Sequence, residues 1–396
     1  PQVSISVNTG ATSFPFIRRG MNSYDYANNY ERAKINDAYV TGTYSPKFSD
    51  YEIERYDLGD DPIFYPSMDW ADYLLKNNSI QTQSNLNVRG GTDRIKYFIS
   101  LGYLTQEGMF NTSRYQAEYD YQARYNMRSN FDIDITKNLK ASFDISTQMG
   151  DLRNPNWSMS GLMASLTTII PMASPGVIDN KIITLPRGEN PVTPFTKGFN
   201  REYQTDLNGS LRLNYRMDYL LKGFSLRGAI SYKNYSSDKR TYTTHSVITY
   251  SPVRTDGNQI EFRPNGSVSP MQFGWGIAKH TRIYTEVGTE YSRGFDEHAF
   301  NGLILYNQQK YYDPNLQYLI PNGIQGLVGR VTYNFRKTYM AEMNVGYNGT
   351  ENFAKGRRFG VFPAYSVGWV PSEEYFFPAN DIVTFLKFRG SYGEVG

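Results

Sequence analysis

Polarity changes at nearly every step from Gly329 to Tyr347. Val331, Tyr333 and Phe335 alternate with Arg330, Thr332 and Asn334, a polar turn at Arg336 and Lys337 follows, and Tyr339, Ala341, Met343, Val345 and Tyr347 alternate with Glu342, Asn344, Gly346 and Asn348. A period of two predicts a hairpin with one apolar and one polar face. Each arm is about as long as a tilted membrane-spanning strand, roughly 9 to 11 residues.

The unit recurs. Phe131, Ile133 and Ile135 turn near Lys137 and Asn138 into Leu139, Ala141, Phe143 and Ile145. Leu86 and Val88 lead through Gly90 and Gly91 into Ile95, Tyr97, Ile99, Leu101 and Tyr103. Leu207, Leu211, Leu213 and Tyr215 turn into Phe224, Leu226, Ile230 and Tyr232, and Val287 and Tyr291 turn into Phe300, Ile304 and Tyr306. Between these hairpins lie longer polar connections, notably Gly150 to Gln204 and Tyr235 to Lys279. Tight turns alternating with long loops are the habit of an antiparallel up-and-down outer-membrane barrel and fit a soluble sandwich poorly. Tyr97, Tyr103, Tyr121 and Tyr125 fall where such strands meet headgroups, though tyrosines also simply favour strands. Two short helices are expected inside loops, over Tyr26 to Ala38 and over Trp70 to Lys76 with a cap at Ser67.

Composition narrows the class. The 396 residues include 34 Tyr and 23 Phe but only 39% hydrophobic residues, and mean hydropathy is −0.56. No run of about 18 apolar residues exists, so a membrane protein of this kind would have to cross with strands. Cysteine is absent, which removes disulfides and thiolate chemistry together. A net charge of +3 with scattered signs gives no footprint for nucleic acid as a partner. Pro1 to Gly10 carry no signal peptide, and Phe388 to Gly396 read as a strand cut in mid-motif, so the chain is expected to be an internal piece.

Catalytic and metal chemistry find little support. His245, His280 and His298 are expected in loops or near strand ends, without the spacing of a metal motif. Asp57, Asp60 and Asp61 with Glu52 and Glu54 form an acidic stretch that could offer calcium its oxygens, but a solvated loop accounts for it and no metal is expected. Asp132 and Asp134 stand on a polar strand face and are expected to meet water. No nucleophile elbow, phosphate loop or dinucleotide fingerprint occurs, so neither an enzyme nor a cofactor is expected. Trp157, Trp275 and other aromatics of the long loops could stack on sugar rings or grip a peptide, or could equally be loop cores.

Several segments then resemble one family. Tyr65-Pro66, Asp69-Trp70 and Leu74-Leu75 precede Asn85-Leu86-Asn87-Val88 and Gly90-Gly91-Thr92. Lys96-Tyr97-Phe98-Ile99-Ser100-Leu101-Gly102-Tyr103 with Gln106-Glu107-Gly108 is the most specific match. Arg358-Phe359-Gly360-Val361-Phe362-Pro363-Ala364, Gly368-Trp369, Ser372-Glu373-Glu374, Phe385-Leu386-Lys387 and Arg389-Gly390-Ser391-Tyr392-Gly393 follow in the same order. Together these are similar to the SusC/RagA type of TonB-dependent outer-membrane transporters, while Asn200 to Tyr312 agrees in pattern only.

The resemblance implies part of a 22-stranded transmembrane β-barrel, with residues 1–396 belonging to one barrel domain that lacks the plug, the signal peptide and the C-terminal strands. It implies active import of an oligosaccharide or peptide across the outer membrane, with a SusD-like surface lipoprotein as lid and the TonB-ExbB-ExbD complex as power source. The wall residues expected to face outer-membrane lipid are Val331, Tyr333, Phe335, Met343, Val345 and Tyr347. Two rival readings remain: a passive porin or adhesin-type barrel, and a secreted carbohydrate-binding or glycan-degrading β protein.

Overall fold

Alternating residues leave a strand no helical alternative, and each strand must satisfy its backbone against a neighbour. The computed structural model describes residues 1–112, 120–184, 190–315, 320–378 and 381–395. The chain opens with β1 (Gln2–Thr12) and helices α1 (Ser23–Thr41), α2 (Asp50–Leu58) and α3 (Trp70–Leu74). Next come β2 (Ser79–Gly91), β3 (Ile95–Glu107), β4 (Tyr121–Asp134) and β5 (Leu139–Pro155). A loop section carries α4 (Met159–Thr168), β6 (Val177–Ile178), β7 (Lys181–Ile182) and α5 (Thr193–Thr196). Strands β8 (Gly198–Arg216) and β9 (Phe224–Thr243), a small hairpin β10 (Thr249–Arg254) and β11 (Ile260–Asn265), then β12 (Gln272–Phe295) follow. The chain closes with β13 (His298–Tyr312), β14 (Asn322–Phe335), β15 (Tyr339–Thr350), β16 (Phe359–Trp369) and β17 (Phe388–Gly393).

Among the described residues one 13-stranded sheet runs β1-β2-β3-β4-β5-β8-β9-β12-β13-β14-β15-β16-β17, so every strand lies beside its predecessor in the wall. All its pairs are antiparallel. The sheet is not closed: β1 and β17 each have a neighbour on one side.

Register sorts the side chains. Val331 opposes Met343, Tyr333 opposes Ala341, Phe335 opposes Tyr339 and Leu327 opposes Tyr347, so these share one face. The same face continues through Phe300 and Ile304 on β13, Val287 and Tyr291 on β12, Leu226 and Ile230 on β9, and Leu211 and Leu213 on β8. It runs on through Phe143 and Ile145, Phe131 and Ile133, Tyr97 and Ile99, Val88 and Leu86, to Val3 and Ile5 on β1. Nothing covers it: Val331 is 43% exposed, Met343 46% and Ile304 61%.

The expected hairpins all form, and the turn at Arg336 and Lys337 takes positive φ at both residues, 56° and 62°, the geometry of a two-residue hairpin link. Strand lengths depart from expectation. β12 has 24 residues and β9 has 20, well beyond a membrane thickness, and the excess lies at the long-loop end. Consequently Gly150 to Gln204 and Tyr235 to Lys279 are not loops throughout: β5 continues to Pro155, β8 starts at Gly198, β9 continues to Thr243 and β12 starts at Gln272. Both faces are rich in polar residues there, which erases the alternation that marks a strand. On the short-turn end, the connection from Trp369 on β16 to Phe388 on β17 is longer than the other turns and begins with a 3-10 turn at Pro371–Glu373.

The helices differ too. α1 is longer than expected at both ends, with Asn22 as its N-cap. α3 is capped by Asp69 rather than Ser67 and stops at Leu74. α2 was not expected: its capping box, Ser49 with Glu52, starts a helix inside the acidic stretch.

Gly198 shows how the wall meets its loops. Its φ is +112°, and a Cβ there would sit 1.9 Å from the Tyr242 carbonyl oxygen across the β8–β9 ladder. Gly198→Ala is expected to cost about 1–3 kcal/mol. Amide exchange at the loop end of β8 and β9 reads this out, and unchanged protection there counts against the strained geometry.

Candidate functional site

Opposite the apolar face the sheet is polar, and several of its charges are paired across strands. Arg212 reaches Asp144 at 2.6 Å, and Asp144 also accepts from Ser210 at 3.2 Å and from Asn130. Lys233 pairs with Asp206 at 3.3 Å. Glu286 accepts from Arg227 at 2.8 Å and from Tyr284 at 2.7 Å. Glu202 accepts from Ser237 at 2.6 Å and Gln204 at 2.9 Å. Asp132 and Asp134 lie on this face, and each has a partner, Ser142 at 2.5 Å and Lys140 at 3.4 Å. Such a surface stays wetted and offers hydrogen bonds without a fixed binding geometry.

His280 lies within β12 rather than in a loop, between Tyr235 and Tyr311 with ring centroids 5.8 and 6.0 Å away. Its Nδ1 approaches Tyr311 Oη and Asp313 Oδ2, both at 3.1 Å. His298 stacks on Tyr333 and His245 contacts Gln272, so the three histidines form no common site. Among the described residues no three His, Asp or Glu side chains stand close enough to hold a metal ion. In the acidic stretch Asp60 pairs with Arg55 at 2.8 Å, and buried Asp61 pairs with Arg254 on β10.

The long loops share a roof with its own hydrophobic cores. One joins Trp70, Leu74, Phe110, Leu162, Val192 and Phe195, drawn from three separate connections. A second joins Ala27, Phe48, Tyr56 and Met172. Buried Glu31 holds the second by accepting from the backbone of Lys47 at 2.7 Å and Phe48 at 2.8 Å and from Tyr44 at 3.0 Å. Asn190, fully buried, is the polar hub of the other: its Nδ2 lies 2.5 Å from Gly176 O, 2.8 Å from Ile183 O and 3.0 Å from Ser174 Oγ, and its Oδ1 accepts from Val192 N at 2.9 Å. Neither Glu31 nor Asn190 carried a sequence signal, because each works through backbone groups that only the folded loops bring near.

Where the roof meets the polar face, Phe14, Phe110, Asp120, Leu152, Asn154 and Met163 border a cavity of about 340 Å³. Burial pushes the Asp120 carboxyl above the usual range, partly offset by the Phe110 N–H it accepts at 3.0 Å and by nearby Lys76.

The expected ligand-contacting tryptophans separate. Trp157 follows β5 in the roof and is 48% exposed, its Nε1 close over Gly161. Trp275 is not in a loop: it lies within β12, on the face of Ile277, Ile283 and Val287, and donates to Asp238 at 2.9 Å. Its even spacing from Val287 was the readable signal for that face.

No family model matches the chain. TonB-dependent receptor P26 of Formosa agariphila is 23% identical over 357 residues, covering 85% of this chain and 34% of that protein. TonB-dependent receptor SusC of Bacteroides thetaiotaomicron is 21% identical over 364 residues, covering 83% and 35%. The chain thus spans about a third of these curated relatives. Among solved structures, the RagAB peptide transporter superposes with a TM-score of 0.72 at 15% identity, covering 99% of this chain and 47% of that one. The chain therefore shares its fold with part of that transporter chain.

Two measurements test the roof. Asn190→Ala leaves the Val192 N–H without that partner and takes one donor each from the Gly176 and Ile183 carbonyls, which keep the Ile183 N–H at 3.0 Å and Ser174 Oγ at 2.6 Å, and is expected to cost about 1–3 kcal/mol. Amide exchange should rise in the Trp70–Phe195 core while the strands near Tyr333 keep their protection. Asp120 has its folded pKa raised, so its contribution to stability is present below the ordinary aspartate range and is lost as pH rises through the raised value. Exchange at the Phe110 amide should accelerate across that rise, and Asp120→Asn, which keeps an acceptor but cannot ionise, should flatten the profile.

Proposed function

We infer that this chain, related by sequence and fold to the SusC/RagA-type TonB-dependent receptors, forms wall and roof of an outer-membrane importer driven by the TonB system. The observation that carries the reading is the uninterrupted apolar face. A soluble protein rarely leaves more than a few hundred Å² of contiguous apolar surface uncovered, and here exposed apolar side chains run from Ile5 on β1 to Tyr392 on β17. The height fits as well. About ten residues separate Leu139, opposite Tyr215, from Met149, opposite Tyr125. At about 3.3 Å per residue and a tilt near 40° this spans about 25 Å, the height of the apolar band of such barrels. Val331, Tyr333, Phe335, Met343, Val345 and Tyr347 are then wall residues that touch hydrocarbon, and the paired charges line the lumen.

Cargo is captured beneath the roof and released inward as a plug domain is pulled, with a SusD-like lipoprotein as lid. A peptide or an oligosaccharide suits the wetted lumen, and the RagAB likeness favours a peptide. Trp157 is the roof aromatic placed to contact it, while Trp275 belongs to the outer side of the wall. A passive barrel would share the same wall and differ in energy coupling.

Arginine at a lipid-facing midplane position costs about 2–4 kcal/mol, whereas a lumen position tolerates it. Val331→Arg and Met343→Arg in the full-length receptor should therefore lower the yield of folded, heat-modifiable barrel in outer membranes, and Thr332→Arg should not. Equal tolerance at all three positions sinks the barrel reading. Cargo uptake that survives loss of TonB favours the passive alternative instead.

A further inference from the structure

Beyond the Tyr103–Tyr125 ring pair, whose centroids are 4.8 Å apart, the lipid side of the wall turns basic. Register places Tyr121, Arg153, Arg201, Arg240 and Trp275 in one row across β4, β5, β8, β9 and β12. The row beneath carries Asp151, Tyr203, Asp238 and Ile277, and the next carries Tyr125, Met149 and Lys279. All of these share the face of Phe143 and Leu211, so they project away from the lumen.

The guanidinium groups are fixed in place. Asp151 accepts from Arg153 at 3.0 Å and from Arg201 at 3.1 and 2.9 Å. Asp238 accepts from Arg240 at 3.3 Å while also holding Trp275. Arg201 lies 4.6 Å and Arg240 5.6 Å from the Tyr203 ring, and Arg153 lies 5.7 Å from Tyr121. Each guanidinium has five N–H donors, so the carboxylates leave several free, and the three side chains stay 35%, 36% and 45% exposed. Three arginines and exposed Lys279 face two aspartates, while Glu107, in the arginine row, is offset by Lys76 at 3.7 Å. Like charges directly opposed on neighbouring strands repel, and the two aspartates offset the three arginines and Lys279 only in part. Beside Lys279, Ile277, Tyr312, Ile320 and Pro321 border an outward cavity of about 590 Å³.

We propose that this patch binds a phosphorylated lipid of the outer leaflet, its phosphate across the arginine row and an acyl chain along the cavity beside Lys279. Arginine suits the task because its planar fork grips phosphate oxygens in pairs. The height also suits it, since anionic headgroups concentrate at the edge of the apolar band. The proposal rests on the reading that this face meets the membrane.

The test uses the full-length receptor purified in detergent, titrated with monophosphoryl lipid A and with the same lipid stripped of phosphate. The thermal midpoint should rise with the phosphorylated lipid only. In native mass spectra, R153Q/R240Q should retain about tenfold less phosphorylated lipid than wild type, and R212Q, on the lumen side, should retain as much. Asp151 keeps Arg201 and Asp238 keeps Trp275 in the double variant, and if that variant fails to fold the two lipids on wild type decide alone. Equal response to both lipids, equal retention by the double variant, or the same midpoint rise with inorganic phosphate alone overturns the proposal. Failure of the barrel reading looks different: the protein would then be extracted without detergent, whatever lipid it prefers.

Discussion

A peptide group that enters hydrocarbon without a hydrogen-bond partner costs several kcal/mol, and that constraint shapes the whole wall. Helices meet it one at a time, but a strand can meet it only through its neighbours. Here each interior strand of the sheet is bonded on both sides, in sequence order, with no crossover that would leave a gap. Once the backbone is arranged this way the side chains have only two directions to point, and the period of two turns a sequence into two chemically opposite surfaces.

The two surfaces are stabilised by different means. On the apolar face the rings and branched chains make no core inside the protein, and in the proposed setting their burial comes from the membrane. On the polar face several charges are paired: Asp144, Asp206 and Glu286 each meet a cation across the ladder. Hydrophobic packing of the ordinary globular kind is found in the roof, around Trp70 and Phe48. In the importer proposed above, the chain thus combines a membrane-solvated layer and a water-solvated fold, joined at the strand ends.

What the sequence made legible follows the same division. The hairpin through Val331, Arg336 and Tyr347 could be read because the membrane demands apolar residues at every second position. Above the band that demand ends, so Asn200 to Tyr203 on β8 and Ser236 to Arg240 on β9 look like loop though they are strand. The Ser49 and Glu52 capping box stands in the sequence, but the carboxylates that surround it read as a solvated loop rather than a helix. Asn190 left no local trace, since its partners at Ser174, Gly176 and Ile183 become neighbours only when the loop closes. Trp275 reads as a loop aromatic by its polar neighbourhood, and only its parity with Val287 marks it as part of the wall.

The roof core draws Trp70, Phe110, Leu162 and Phe195 from connections that leave the wall at different points. Loops fused in this manner cannot wave independently as fingers would. In the importer proposed above, admission of cargo must swing them as a single flap about the places where they rejoin the strands, or leave them still and pass beside them. Diversification is constrained in a matching way: a change at one loop's inner surface obliges the others to accommodate it, whereas the rim beyond that shared interior is free to vary.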